Sequence, residues 1–332
     1  MKIAFFEIKK HEEDYIKSKL KNHTLIFNEN HLNNLNIEKV KDFDIICLFI
    51  NSKIDSEILN KLKNIKAIVT MSTGYDHINV EECKKRNIKV YNVPFYGENT
   101  VAEHTFALIL ALSRKIIDSV NRTKQDNFSL EGLRGFDLKN KTLGIIGPGH
   151  IGQHVIRMAN GFEMNVLAYS KHKDKSLEKK LKFKYVSLND LLKKSDIISI
   201  HCPSSKETYH LLNINNIKLI KKGAYLINTA RGAIVDTKAL LYGLNNKILA
   251  GAGLDVLEAE EDIKEEKQLL HKKFTEEEIK MLIEDHLLLR NKNVIITPHN
   301  AFNSEEAIHR ILDTTIENIN NFMKKKKKNV VA

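Results

Sequence analysis

The chain has 332 residues, 42% of them hydrophobic and 29% charged, a length that suits two domains and a composition that sets aside a disordered or fibrous protein. No apolar run approaches the ~18 residues of a membrane span, the first residues carry no signal-peptide pattern, and Cys47, Cys83 and Cys202 are an odd set without metal-ligand spacing. A reduced, cytoplasmic protein with no disulfide framework, no metal and no membrane contact is expected. The net charge of +11 comes from lysines spread along the whole chain, so a nucleic-acid partner is not expected; the one dense cluster, residues 324–328, reads as a solvated C-terminal tail.

Short, apolar, β-branched segments at residues 2–8, 24–28, 44–50, 67–72 and 89–93 are separated by polar helical stretches, the signature of a parallel sheet covered on both faces. After the turn-rich stretch 94–99, residues 101–117 carry apolar positions at helical spacing and mark a domain boundary. A second series of strands is predicted at 142–147, 165–169, 185–187, 196–202, 224–229, 251–255 and 294–298. The final amphipathic helix, 304–323, opens on a capping-box-like Ser304-Glu305-Glu306-Ala307. Nothing remains for it to build except a return to the first domain.

Within the second series, Gly147-Pro148-Gly149-His150-Ile151-Gly152 follows an apolar strand and opens onto a helix, the context of a dinucleotide-binding fingerprint. The first glycine permits the tight turn, the second admits a pyrophosphate, and the third lets helix and strand pack closely. Amides at the helix N-terminus then face the phosphates. The expected fold is α/β, with two doubly wound parallel-sheet domains. A Rossmann cofactor domain, 101–302, is inserted in a discontinuous, flavodoxin-like substrate domain, 1–100 and 303–332. Ligands in such folds bind at the carboxyl ends of the strands, and in a two-domain version in the cleft, where hinge closure excludes water.

Three residues just beyond strand ends could do chemistry. Arg231 lies in Asn228-Thr229-Ala230-Arg231-Gly232, Glu260 follows Leu254-Asp255-Val256, and His299 follows Ile295-Ile296-Thr297-Pro298. An arginine can hold a carboxylate by two parallel hydrogen bonds. A histidine can exchange a proton with a carbonyl or hydroxyl. A glutamate on the far ring nitrogen orients the imidazole. Each alone is commonplace, since the chain has 14 histidines and most arginines and glutamates are surface partners. Their joint placement points to hydride transfer beside a carboxylate. The charged stretch 258–291, with Ile263, Leu269, Leu270, Phe274, Ile279, Leu282 and Ile283 at helical spacing, reads either as a surface excursion packed on its own domain or as an active-site cover or intersubunit contact.

These segments resemble the D-isomer-specific 2-hydroxyacid dehydrogenases, most of all the D-lactate dehydrogenase branch. The resemblance is carried by Ser72-Thr73-Gly74-Tyr75-Asp76-His77-Ile78, Val101-Ala102-Glu103-His104-Thr105, Thr142-Leu143-Gly144-Ile145-Ile146-Gly147 with the glycine motif, Asn228-Thr229-Ala230-Arg231-Gly232, Gly253-Leu254-Asp255-Val256 and Thr297-Pro298-His299-Asn300-Ala301-Phe302. The long insert between Glu260 and His299 is also similar to that branch. The resemblance implies a catalytic triad of Arg231, Glu260 and His299. It implies a substrate carboxylate on Ser72, Thr73 and Gly74, with Tyr96 and Phe302 shaping a small pocket. For a nicotinamide cofactor it implies His150 and Ile151 at the pyrophosphate, Cys202, Pro203 and Thr208 at the adenosine, and Thr229, Ala230 and Asp255 at the nicotinamide end. It also implies a homodimer through the second domain. Glu103 and His104 are expected to be structural, and Asp76 a helix cap in a tight turn.

One position departs from the family. Where NAD-preferring members place an aspartate against the ribose 2′-OH, this chain has Ser170, followed by Lys171. Serine does not repel a 2′-phosphate and lysine can pair with one, so NAD and NADP both stay open, with Asp174 or the serine as the ribose ligand in the first case. The expected activity is interconversion of a small 2-keto acid, pyruvate before others, and its D-2-hydroxy acid. An NADPH-preferring glyoxylate or hydroxypyruvate reductase is the second reading. A non-catalytic dinucleotide sensor is the third, which the intact triad disfavours.

Overall fold

Residues Lys2–Phe6, Thr24–Asn28, Ile45–Leu48, Ala67–Thr70 and Lys89–Tyr91 form strands β1 to β5 of a parallel sheet, in the order β2-β1-β3-β4-β5. The computed structural model describes residues 1–258, Glu260 and residues 275–332. Every residue of β3 and β4 is buried, as expected of strands covered on both faces. This sheet, with helices α1 (Lys10–Lys19), α2 (Ser56–Lys61), α3 (Val80–Lys85) and α11 (Glu305–Met323), makes one compact unit, Met1–Tyr96 with Ser304–Ala332.

The second unit is Gly97–Asn303. Its seven parallel strands are β6 (Thr142–Ile146), β7 (Asn165–Tyr169), β8 (Lys184–Tyr185), β9 (Ile197–Ile200), β10 (Ala224–Asn228), β11 (Leu249–Leu254) and β12 (Val294–Ile296), in the order β12-β11-β10-β9-β6-β7-β8. Around them lie α4 (Glu98–Ser113), α5 (Ile116–Thr123), α6 (His150–Gly161), α7 (Lys175–Leu181), α8 (Leu188–Lys194), α9 (Thr237–Asn245) and α10 (Glu276–Leu289). The chain leaves β6 towards β7 and returns to β9 on its other side. The strand order therefore reverses at β6, and the glycine motif follows that strand, at the position where doubly wound sheets bind ligands.

Several expectations are corrected. The single helix at 101–117 is two helices, because the Ser113 carbonyl accepts the Phe136 amide at 2.9 Å and Lys115 turns left-handed at φ 54. The start of α11 is a single cap and not a box: Ser304 Oγ accepts the Ala307 amide at 3.2 Å, but the alanine methyl has no acceptor to return the bond. Asp76 stands in a turn, and the cap of α3 is Asn79, whose side chain accepts the Glu82 amide at 3.0 Å. The strand expected at 185–187 ends at Tyr185, and Ser187 caps α8.

Residues 324–328 are exposed but are no free tail. The chain beyond them docks on β5, where Val330 pairs antiparallel with Tyr91 and the Val331 amide donates to the Val90 carbonyl at 2.8 Å. Of the 258–291 stretch, Ile263, Leu269, Leu270 and Phe274 lie outside the described residues. Its described helix, α10, packs on α9 of its own unit, with Leu288 and Asp285 buried.

Candidate active site

Strands β10, β11 and β12 are parallel neighbours, so their carboxyl ends share one edge of the sheet, and each leads directly into a candidate residue. Asp255, at the end of β11, is 1% exposed. Its carboxylate accepts the Thr297 hydroxyl and the Asn300 and Ala301 amides, each amide at 2.8 Å, and lies 3.4 Å from His104 Nε2. Burial pushes the carboxyl up, but these donors outweigh it and hold it below its ordinary value. The Asp255 carbonyl also accepts the His299 amide at 2.9 Å. Held from both sides, His299 adopts φ 52, a left-handed conformation that costs a non-glycine residue about 1 kcal/mol or more.

His299 Nδ1 and Glu260 Oε1 are 2.7 Å apart, with side chains 14% and 23% exposed. With Nδ1 donating to the carboxylate, Nε2 is the ring nitrogen left to meet a ligand. Arg231 sits in a turn shaped by Asn228, whose Nδ2 donates to the Arg231 carbonyl at 2.9 Å and whose Oδ1 accepts the Ala230 amide at 3.0 Å. The half-buried guanidinium gives Nη1–H to the Ala230 carbonyl at 2.8 Å. Thr229 is tied to α4 through Thr105, hydroxyl to hydroxyl at 2.9 Å. The edge thus gathers Arg231, His299, Thr229, Ala230 and Asp255, and brings Glu260 onto His299. Phe302, half-buried, follows in the same loop. His104, expected to be structural, bonds the Thr297 hydroxyl at 3.0 Å.

The glycine motif meets the demands of a dinucleotide. Gly147 has φ 90, and a Cβ there would sit 2.7 Å from the Cys202 amide nitrogen. A Cβ on Gly152 would sit 2.4 Å from the Gly147 carbonyl oxygen, so α6 can approach β6 only with glycine at this position. A Cβ on Gly149 would meet nothing within 4 Å, so this side of the turn is open to a ligand. His150 and Ile151 form the first turn of α6, where amides lack intrahelical partners. These residues fit a nicotinamide dinucleotide. Across from them, Thr208 Oγ1 donates to the Pro203 carbonyl at 2.7 Å and fixes the loop after β9. Burial pushes the Cys202 thiol up to about 11, which disfavours its reactive thiolate.

At the end of β7, the Ser170 hydroxyl donates to the His172 carbonyl at 2.7 Å. Lys171 Nζ is engaged by Glu207 Oε1 at 2.6 Å, from the loop after β9. Asp174, the other acid considered for the ribose, is the N-cap of α7 and accepts the Ser176 amide and hydroxyl at 2.9 and 2.6 Å.

In the first unit, the loop after β4 is braced against the end of β5. The Ser72 carbonyl accepts the Val93 amide at 3.0 Å, Thr73 Oγ1 donates to the Val93 carbonyl at 2.9 Å, and Asn92 Nδ2 donates to the Thr73 carbonyl at 2.9 Å. Ser72 Oγ closes the turn on the Gly74 carbonyl at 2.6 Å. Among the described residues, the Thr73 and Gly74 amides donate to nothing. Paired amides in a braced turn are a ready anion receptor. Tyr96, half-buried, is fixed through its carbonyl, which accepts Arg310 Nε at 2.6 Å.

The description of a known family, the NAD-binding domain of the D-isomer-specific 2-hydroxyacid dehydrogenases, matches residues 106–301. The chain belongs to that family. A 2-hydroxyacid dehydrogenase homolog of Zymomonas mobilis is 38% identical over 329 residues, 96% of each chain. A glyoxylate reductase of Thermococcus litoralis is 37% identical over 295 residues, 87% of this chain and 83% of that one. The crystal structure of the Aquifex aeolicus D-lactate dehydrogenase with NAD and lactic acid superposes with a TM-score of 0.89 at 36% identity, over 99% of this chain and 98% of that one.

As a 2-hydroxyacid dehydrogenase the protein is an oxidoreductase with a Rossmann NAD-binding domain. No described helix is long and apolar enough to cross a membrane. Three residues around this dehydrogenase's candidate site escape sequence reasoning: Glu207, His210 and Glu258. Each matters through a partner far along the chain, and no local spacing announces it.

Proposed function

We propose that this dehydrogenase interconverts pyruvate and D-lactate. The observation that carries the reading is the 2.7 Å contact of His299 Nδ1 with Glu260 Oε1, at the strand edge that also bears Arg231. When bound, the nicotinamide supplies or accepts the hydride at the substrate C2. Arg231 holds the substrate carboxylate through its planar fork. In the reducing direction His299 gives its Nε2 proton to the C2 oxygen, and Glu260 keeps the ring oriented and stabilises its charged form. The Ser72, Thr73 and Gly74 loop supplies further carboxylate ligands, with Tyr96 and Phe302 limiting the size of the substrate side chain. The likeness to a D-lactate dehydrogenase structure supports pyruvate. The test is a spectrophotometric panel of pyruvate, glyoxylate, hydroxypyruvate and bulkier keto acids, each with NADH and NADPH. Absence of pyruvate reduction overturns the proposal.

A second reading, a glyoxylate or hydroxypyruvate reductase using NADPH, is favoured by Ser170 and by the similarity to a glyoxylate reductase. We place NAD first and NADP as a tolerated alternative, because Glu207 occupies the lysine a 2′-phosphate needs. We further propose a cytoplasmic homodimer joined through the second unit. Helix α5 has no buried residue, and Ile116, Ile117 and Val120 are 47%, 47% and 45% exposed, near Phe128 and Leu130 at 77% and 82%. Light scattering on Ile117→Glu combined with Val120→Glu is expected to give monomers where the parent protein gives dimers.

A further inference from the structure

Glu258 stands two residues before Glu260 yet faces the other way in its bonding. Its carboxylate is nearly buried, at 5% exposure, and both oxygens are engaged. Oε1 bonds His210 Nε2, in the loop after β9. Oε2 accepts the Thr237 amide at 3.1 Å and the Thr237 hydroxyl at 2.9 Å, at the first turn of α9. The anion also suits that place, because a helix N-terminus favours negative charge. The same Thr237 hydroxyl lies 3.3 Å from Asp285 Oδ1 on α10.

The backbone here is equally constrained. Gly232, the residue after Arg231, approaches this segment so closely that a Cβ on it would lie 2.1 Å from the Leu257 carbonyl oxygen and 2.6 Å from the Glu258 amide nitrogen. The Leu257–Glu258 backbone is therefore pressed against the turn that carries Arg231, and the Glu258 side chain ties it to His210 and Thr237.

We propose that Glu258, through His210 and Thr237, is a positioning residue for the reaction: it sets where Glu260 meets His299 and where Arg231 stands relative to them. This rests on the dehydrogenase reading above, in which those three residues act on the substrate. A shift of about 1 Å in such a group costs roughly 100-fold in rate. Binding of the dinucleotide, which depends on the glycine turn after β6, does not depend on Glu258.

The test compares Glu258→Ala, Glu258→Gln, His210→Gln, Glu260→Gln and the double variant Glu258→Ala/Glu260→Gln. kcat and KM for pyruvate are measured at saturating NADH, NADH affinity by its fluorescence, and folding by thermal unfolding. Glu258→Ala is expected to lower kcat by about 30- to 100-fold while NADH affinity stays within about twofold. Glu258→Gln, which still accepts from Thr237, should recover most of that loss, and His210→Gln should fall between. The double variant should be no slower than Glu260→Gln by more than about threefold, because both changes disable the same element. Losses that multiply, or a Glu258→Ala enzyme with normal kcat, overturn the proposal. If Glu258→Ala does not fold, His210→Gln decides alone: unchanged kcat and KM refute the role. A fully active Glu260→Gln ends the underlying reading, and this inference with it.

Discussion

Asp255 holds His299 in a left-handed backbone by gripping the chain on both sides of it: its carbonyl takes the His299 amide, and its carboxylate takes the amides of Asn300 and Ala301. The imidazole is aimed by an acid that does not itself touch the ring.

Replacing Asp255 with asparagine should therefore damage both catalysis and stability. An amide nitrogen would face backbone donors in a buried site. The expected cost is about 2–4 kcal/mol in unfolding free energy and about 100-fold or more in kcat. Denaturant unfolding and steady-state kinetics check this. The depressed carboxyl has a pH signature as well: its contribution to stability is present above the ordinary aspartate range and is lost as pH falls through the lower folded value. In the asparagine variant that loss at acid pH should be smaller.

Replacing His299 with alanine should remove about 100- to 10,000-fold of kcat and leave cofactor affinity nearly unchanged, since only the proton donor is lost. Replacing Arg231 with lysine should be nearly as harmful, because a point charge cannot reproduce the planar fork. Normal pyruvate kinetics in the lysine variant would contradict the anchoring role.

Cofactor choice should respond to two positions on different strands. Ser170→Asp is expected to lower kcat/KM with NADPH by about tenfold, by setting a carboxylate against the 2′-phosphate. Glu207→Gln should raise it by about threefold, by releasing Lys171. The gain is small because both partners are mostly exposed, at 63% and 67%, and such pairs are worth little. If neither change moves the NADPH to NADH ratio, discrimination lies elsewhere.

His201 predicts acid sensitivity. Burial pushes its imidazole down from 6.5 to about 3, with Nε2 bonded to Ser199 Oγ at 2.8 Å and Nδ1 lacking a hydrogen-bond partner among the described residues. The folded state holds the ring neutral, whereas the unfolded chain takes up a proton near pH 6.5. Stability is thus full above that value and declines as pH falls towards 3, by an amount on the order of 5 kcal/mol in all. His201→Gln should flatten the fall of Tm between pH 6.5 and 4. An unchanged slope would assign the acid lability to other groups.

The strands were legible because each is an apolar run bounded by turns. Residues 24–28 and 165–169 match the observed β2 and β7. The break between α4 and α5 was not legible: the apolar spacing continues through Ile116 and Ile117, and the helix stops because Phe136, distant in sequence, takes the Ser113 carbonyl. The same division holds at the site. Arg231, Glu260 and His299 are findable from strand-end position and side-chain chemistry. Glu258 reads locally as one more acid in a charged stretch, and its character emerges only when His210 and Thr237 fold onto it. Ser304 reads as the start of a capping box, but one local bond is all that alanine at the fourth position allows.

The docking of residues 330–332 on β5 bears on how the molecule is made. On the ribosome, the second unit is synthesised as one continuous piece, whereas the first waits for α11 and the strip that covers its outermost strand. Asn318 reaches the Asn92 carbonyl at 2.7 Å and Val331 reaches Val90, so the seal on that early sheet emerges only after the whole second unit. Until then β5 is an open edge, the kind that recruits stray strands. A nascent chain stalled before Val330 can pair with Tyr91 would leave that exposure permanent.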